Sequence, residues 1–556
     1  MATADVVAPT TRWGALQPLR ERTFRMIWSA SLLSNFGQLI LGVGAAWEMT
    51  RLTTSASMVA LVQSAMMLPL MLVAVPAGAM ADMFDRRKIA LVALSFATVC
   101  AATLFALASF GLTTPWLLLG FSSLIGTGVA LYGPAWQASV REQVKPEQFP
   151  AAVALASVSY NIARSFGPAV GGMIVLAAGA AATFAVNALL YLPLLFAFFV
   201  WRRVHVPARL PPERIDRAII SGARYAIHSP PIRIVLVRSF VFGLAGASIA
   251  ALTPLLARDL LQGDASTYGL LLGANGVGAV AGALIVNEVR NRLKAEHAAR
   301  LCAIVGGLAV LVLSQSRNVA LASTMMAVAG AAFMLNIALF NVGVQLSAPR
   351  WVTARAIAWF QSALTGGIAL GAWMWGQVAT DWGLVVALLA SGAALILTPL
   401  SGLVMPMPPV STDDVEMVEI AHEPEVALAV TARSGPIAIE IDYRVDPAAA
   451  REFYDVMLKM QRARLRNGAF DWSISRDIAD PALWTERYHC PTWGDYLRLR
   501  SRFTHSDREL QNTADAFHTD GPGARIRRRL ERPFGSVRWR AETPDPRRDS
   551  IDIYTP

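Results

Sequence analysis

The chain has 556 residues, of which 54% are apolar and only 16% charged, well below the roughly 25% charge usual in soluble domains. Cys100, Cys302 and Cys490 lie too far apart for a disulfide framework or a spaced zinc site. The net charge of +10 falls largely between apolar stretches, where basic residues fix membrane topology, and this argues against a nucleic-acid surface. Residues 24–404 hold nearly all the apolar runs, whereas Val430 to Pro556 carries 22 Arg or Lys and 19 Asp or Glu, so one polypeptide serves two environments.

The first 23 residues are polar and contain proline; they read as a cytoplasmic N-terminal segment and not as a signal peptide, because the apolar stretch that follows is long enough to span. A bilayer demands about 20 apolar residues per helix, since backbone polar groups cannot stay unpaired in lipid. Twelve segments meet that demand: 26–49, 56–80, 89–110, 115–138, 152–175, 180–201, 235–257, 267–287, 300–316, 319–341, 355–378 and 384–404. With the N-terminus inside, the cytoplasmic connections hold 18 Arg or Lys and the opposite ones three, Arg51, Arg258 and Arg317; this places both termini in the cytoplasm.

The expected fold is therefore an all-α polytopic membrane protein with twelve transmembrane helices in a six-plus-six arrangement. One half occupies 24–201 and the other 235–404, joined by the basic loop 202–234. Self-similarity supports the division. Gly78 and Arg86 recur 204 residues later as Gly282 and Arg290, and the same shift maps Gly167 onto Gly371 and Gly172 onto Gly376, as in the internal repeats of many secondary transporters.

Between the second and third spans runs Gly78-Ala-Met-Ala-Asp82-Met-Phe-Asp85-Arg86-Arg87-Lys88. Gly78 is expected to permit close helix packing. Asp82, at a helix end, is placed to pair with Arg86 or to meet the positive N-terminus of a neighbouring helix. Two readings stand: a pair that holds one conformation closed and releases in the other, or a basic turn that only fixes topology.

These residues resemble the loop of the major facilitator superfamily, G-x-L-A-D-R-x-G-R-[RK]. Gly78, Ala81, Asp82, Arg86 and Arg87 match it, while Met80, Met83 and Asp85 depart from it. With Pro76-Ala77 ahead of the glycine, the segment is similar to the branch of the enterobactin exporter, often described as transmembrane secretion effectors. Leu19-Arg20, Phe24-Arg25, Ser34-Asn35-Phe36-Gly37, Thr50 and Ser55-Ala56 extend the likeness, which covers about residues 15–404. In the fifth span, Gly167-Pro168-Ala169-Val170-Gly171-Gly172 resembles the end of the antiporter motif of drug exporters, although Ala163 stands where a glycine is expected. Glycines around a proline suit an interface that opens and closes, or simply tight packing. Arg164 is a charge inside a span, expected either to serve coupling or to anchor the helix.

The resemblance implies a central pathway, for which the polar candidates are Asn35, Gln38, Gln63, Tyr132, Trp136, Gln137, Asn161, Asn275, Asn336, Asn341 and Gln361. Glu48 is the acidic side chain of the first-half spans and a candidate proton carrier. Aromatics and amides with few charges suit an amphipathic or aromatic solute.

Met405 to residue 433 reads as a proline-rich, acidic linker, and 434–556 as a small cytoplasmic α+β domain. Alternation at 437–443 predicts a strand, 447–464 an amphipathic helix, 469–476 and 483–489 two strands, 491–500 and 505–517 helices, and 526–530 a basic strand. The order β-α-β-β-α-β suggests a ferredoxin-like sandwich. Arg466-Asn467-Gly468-Ala469, Trp472, Trp484, Glu486, Trp493, Tyr496-Leu497-Arg498, Thr504 and Asp507-Arg508 resemble the C-terminal extension of the same branch. The layout is also similar to antibiotic-biosynthesis-type monooxygenase domains, which implies self-association through the sheet. Arg527-Arg528-Arg529 is expected either to meet anionic headgroups or to be solvated.

No G-x-x-x-x-G-K-[ST] run supports nucleotide-driven transport. The expectation is a non-enzymatic, proton-coupled exporter of a small organic solute such as a drug, siderophore or secondary metabolite, seated in a bacterial inner membrane, without metal, cofactor or nucleic acid. An uptake permease of the same fold and a nontransporting scaffold or sensor are the alternatives.

Overall fold

The structure, a computed structural model, describes residues 14–202, 215–349, 351–407, 424, 426–428, 430–520 and 524–531. The chain divides into two compact units: residues 1–207, 235–342 and 358–407 form one, and 208–234, 343–357 and 408–556 the other.

The first unit is helical. A first membrane region comprises α1 (Arg22–Leu52), α2 (Ala56–Met83), α3 (Arg86–Ser109), α4 (Pro115–Ser139) and α5 (Phe149–Val200). After α6 (Ile215–His228), which belongs to the other unit, come α7 (Pro230–Gly246) and the short turns α8 (Ser248–Ala251) and α9 (Thr253–Leu255). The second membrane region continues with α10 (Ala265–Leu284), α11 (Val286–Arg292), α12 (Ala295–Gln315), α13 (Val319–Ser347), α14 (Thr353–Trp382), α15 (Leu384–Leu397) and α16 (Ser401–Val404).

Among the described residues ten helices are long and apolar enough to cross a membrane, against twelve expected segments. The difference has two sources. Two expected spans run together as α5, broken at Gly179 by φ 81° and ψ 168°. The expected 355–378 span is α14, a 30-residue helix outside the ten that carries Arg355, Gln361, Ser362, Thr365, Gln377, Thr380 and Asp381. Gly383 opens α15 with φ 91° and ψ 158°. Both glycines sit in a region of backbone space that side chains exclude, so a single residue reverses the chain at each place.

Short caps hold the turns. The Asp85 carboxylate accepts from Arg87 N at 2.9 Å, and Asp264 accepts from Ser266 N at 3.0 Å and Thr267 N at 3.1 Å, satisfying donors that a helix start leaves free. One end of the bundle, here the terminal end, carries the 84–85 turn, the 140–148 segment and Trp201; the far end carries the 53–55 turn, Gly179, the 261–264 turn and Gly383. At the terminal end Ile27, Ala90, Leu94, Leu194, Phe198 and Trp201 form a buried cluster.

In the second unit the strands β1 (Ile437–Arg444), β2 (Phe470–Arg476), β3 (Leu483–Cys490) and β4 (Arg525–Leu530) form one antiparallel sheet, in the order β2-β3-β1-β4. The helices are α17 (Ala450–Asn467), α18 (Trp493–Ser501) and α19 (His505–Asp515). Ile437, Ile439, Ile441 and Tyr443 point to one side of β1, as the alternation requires, and pack with Phe453, Met457, Met460, Tyr488 and Tyr496.

Inside this core Arg464 and Glu486 pair at 3.1 Å, with Trp472 Nε1 donating to Glu486 at 2.9 Å and Arg464 donating to Gln511 at 2.6 Å. Burial opposes the Arg464 charge, yet the Glu486 carboxylate holds its pKa well above the ordinary value. The unit also takes in α6 and Trp351: Tyr225 meets Trp351 edge-on at 5.4 Å, and the Arg502 guanidinium lies 3.9 Å from the Trp351 ring centre. Most of the expected acidic linker, along with Arg209, Arg214 and Arg217, lies outside the described residues or side chains.

Candidate functional site

The residues from Gly78 to Lys88 tie the terminal end of the first membrane region together. Arg86 donates to Ala81 O at 3.1 Å and Ala138 O at 2.9 Å and pairs with Glu142 at 2.8 Å. Arg87 donates to Phe198 O at 2.9 Å and Phe199 O at 2.5 Å. Both guanidiniums thus reach carbonyls at helix C-termini, where orphan acceptors and the helix dipole favour a cation. The Asp82 side chain lies outside the described residues.

Gly78 is not at a close helix approach, contrary to the expectation. Among the described residues a β-carbon there would meet no atom within 4 Å, although Ala77 and Ala81 beside it are buried.

The two membrane regions meet instead along two seams nearer the far end. In the first, α5 lies on α10: a β-carbon at Gly172 would stand 2.5 Å from Ala265 O and 3.0 Å from Gly269 Cα, and one at Gly269 would stand 2.7 Å from Pro168 O. Lower down, a β-carbon at Gly276 would overlap the Arg164 carbonyl. Gly167 and Gly171 face the other way, onto Leu39 and Ile40 of α1. In the second seam α2 lies on α14: Ser57 N donates to Thr380 Oγ1 at 2.9 Å, Ser64 Oγ donates to Ala369 O at 2.6 Å, and Ser362 Oγ donates to Met71 O. Small residues let backbones touch in this way.

The polar candidates are distributed, not gathered. Asn35 donates to Ser159 Oγ at 3.3 Å across α1 and α5, with Gln38 and Gln63 half-buried on α1 and α2. Glu48 pairs with Arg51 at 3.1 Å near the far end. Tyr132 and Trp136 pack edge-on against Phe198. Asn161 donates to Ser157 O of its own helix at 2.9 Å, and Asn275 donates to Met326 O of α13 at 3.2 Å. Asn336 is buried and donates to Ala299 O at 3.4 Å, whereas Gln137 and Gln361 are exposed. Arg164 sends Nη1 to Met334 Sδ of α13 at 3.7 Å.

Two polar nodes escape sequence reasoning. Arg238 and Glu296 pair in the second membrane region; Arg300 donates to the same carboxylate at 2.8 Å, and Met407 N donates to it at 2.9 Å. The i, i+4 spacing of Glu296 and Arg300 is the available sequence signal. At the far end Arg258 Nη1 donates to Thr50 O at 2.8 Å, and Trp47 stacks on Tyr268 at 6.2 Å, each joining the two regions. In the C-terminal domain Arg527 pairs with Asp442 at 2.5 Å, Arg529 with Glu440 at 3.2 Å, and Arg528 donates to Tyr496 OH at 2.7 Å. The basic strand therefore spends these guanidiniums on its own domain.

The family model described as "Transmembrane secretion effector" matches residues 13–534. The chain is 24% identical over 291 residues to a protein named Staphyloferrin A transporter of Staphylococcus aureus, covering 52% of this chain and 72% of that protein. It is 25% identical over 395 residues to Multidrug efflux pump Tap of Mycolicibacterium fortuitum, covering 68% and 95%. Among solved structures, nucleoside transporter NupG superposes with a TM-score of 0.57 at 11% identity, covering 68% of this chain and 99% of that one. A bacterial homologue of the human lysosomal transporter Spinster gives 0.55 at 13% identity, covering 70% and 96%.

Proposed function

We propose that this chain, which belongs to the transmembrane secretion effector family of major facilitator transporters, exports a small organic solute by alternating access between two six-helix halves, driven by protons. Members of the family are transport proteins and not enzymes, and the chain is a multi-pass membrane transporter of a small solute. The observation that carries the alternating-access reading is the pair of glycine- and serine-lined seams, α5 on α10 and α2 on α14, set against the open space at Gly78.

Several features support twelve crossings in six plus six. Counting α5 twice at Gly179 and adding α14 to the ten apolar helices makes the number. Gly179 and Gly383 are themselves 204 residues apart and share a backbone conformation. The sheet order β2-β3-β1-β4, antiparallel throughout, supports a ferredoxin-like C-terminal domain.

Export follows the relatives named multidrug efflux pumps; the relative named Staphyloferrin A transporter leaves direction open. Basic connections support a cytoplasmic location for the terminal end and both chain ends, in a protein of a bacterial inner membrane. Glu48 is the proposed titratable group, and Asp82 belongs with the gating turn. Asp85, Arg86 and Arg87 set the gating turn, while Gly167, Pro168, Gly171 and Gly172 form the moving seam. Self-association through the C-terminal domain is a further proposal, read by the mass of the purified protein in solution.

Uptake of a solute panel into right-side-out and inverted vesicles under imposed proton gradients tests the reading. Accumulation confined to inverted vesicles, and weakened by Glu48→Gln or Asp82→Asn, is the expected outcome; accumulation only in right-side-out vesicles would sink export in favour of uptake.

A further inference from the structure

Arg164 lies fifteen residues after Phe149, where α5 begins, and fifteen before the break at Gly179. At 1.5 Å per residue the backbone of Arg164 stands about 22 Å from either end of that segment, midway along it. Every carboxylate near a span sits at a helix end: Glu48 is four residues from the end of α1, Asp82 one from the end of α2, and Asp381 one from the end of α14. Glu296, at the start of α12, is held by Arg238 and Arg300. Between these ends the sequence offers no Asp or Glu in any of the spans.

Among the described residues the polar contact of Arg164 is the Met334 thioether at 3.7 Å, a weak acceptor. Guanidinium groups stay charged in proteins, and a cation held inside the bilayer is expensive unless it faces an anion or water. The side chain reaches from α5 of one membrane region to α13 of the other and is half-buried. Its backbone is clamped by Gly276 of α10.

We propose that Arg164 is the anion-binding group of the solute pathway and that the transported class is an organic anion, a carboxylate-bearing amphipathic molecule, whose charge supplies the anionic partner that the described residues do not. This rests on the transport reading but not on its direction or driving ion. A carboxylate accepts two parallel N–H bonds from a guanidinium, whereas an ammonium would be repelled. The anionic chemistry could also come from a lipid headgroup or an inorganic anion, so the test separates these sources.

Full-length protein in phosphatidylcholine nanodiscs is titrated, without any gradient, against carboxyfluorescein and a cationic rhodamine of the same xanthene core, with fluorescence polarisation as readout. The wild type is expected to bind the anionic dye about tenfold or more tightly than the cationic one. Arg164→Gln should lose about ten- to hundred-fold in affinity for the anionic dye alone. Arg164→Lys, which keeps the charge but not the fork, should lose severalfold and serves if the glutamine variant does not fold.

Unchanged affinity in both variants, or a wild type that binds neither dye or prefers the cation, would overturn the proposal. So would complete loss of dye binding on adding phosphatidylglycerol or phosphate at fixed ionic strength, which would assign the group to a headgroup or an inorganic anion. Failure of the export reading alone leaves dye binding intact.

Discussion

Glycines 204 residues apart in the two membrane regions fall into two kinds. Gly167 and Gly371 each press on the first helix of their own region, α1 and α7, and Gly172 and Gly376 each press on the second helix of the opposite region, α10 and α2. Gly179 and Gly383 reverse the chain with nearly the same dihedrals. Gly78 and Gly282 differ: a β-carbon at Gly282 would overlap the Ala331 carbonyl of α13, while one at Gly78 meets no described atom within 4 Å.

The divergence develops along the helix. A β-carbon at Gly126 would stand 3.0 Å from Met66 O, so α2 and α4 touch there, whereas the Gly78 face of α2 meets no described atom within 4 Å. Helices α10 and α13 stay in contact from Asn275 and Gly330 to Gly282 and Ala331. Equivalent positions that agree describe the fold; the pair that disagrees describes a conformation. The open face lies near the end of α2, beside the Asp82 to Lys88 motif.

The largest effect should come from filling the two unlike glycines. Gly282→Leu drives a side chain into the α13 backbone and should cost about 3 kcal/mol, read as a lowered melting temperature and reduced folded yield. Gly78→Leu should melt like the wild type yet slow turnover, because the terminal end can no longer reclose. Equal destabilisation by both would erase the contrast.

Gly179→Ala and Gly383→Ala sharpen the likeness instead. Each forces a methyl group into a glycine-only conformation and should cost about 1–3 kcal/mol, with the two melting shifts matching. A shift at one site alone would show that the turns are not equivalent. A smaller difference separates Arg86 from its mate. Arg86→Ala removes bonds to Ala81, Ala138 and Glu142 and should cost about 1–2 kcal/mol, whereas Arg290→Ala, at an exposed position, should stay within about 0.5 kcal/mol.

The apolar runs and the 204-residue shift were legible because lipid and duplication write on every turn of helix. The strands were legible for a similar reason: alternation at Ile437-Ala-Ile-Glu-Ile-Asp-Tyr443 reports a sheet with one covered face, and the structure has Ile437–Arg444 there. The site was less so. Arg87 bonds to carbonyls 111 and 112 residues away, and backbone acceptors leave no mark on composition. Amides such as Asn161 and Asn275 look alike in sequence, yet one bonds its own helix and the other a neighbour. Gly78 read as a packing residue because sequence cannot distinguish a glycine that admits a neighbour from one that faces open space.

The central claim is that the far-end seams part during each cycle. Ser57 and Thr380 face each other across the α2–α14 seam, joined by a 2.9 Å hydrogen bond. With cysteines at both positions, Ser57→Cys and Thr380→Cys, oxidation should lock the seam and stop transport, and reduction should restore it. Transport by the fully oxidised protein at the reduced rate would contradict the account.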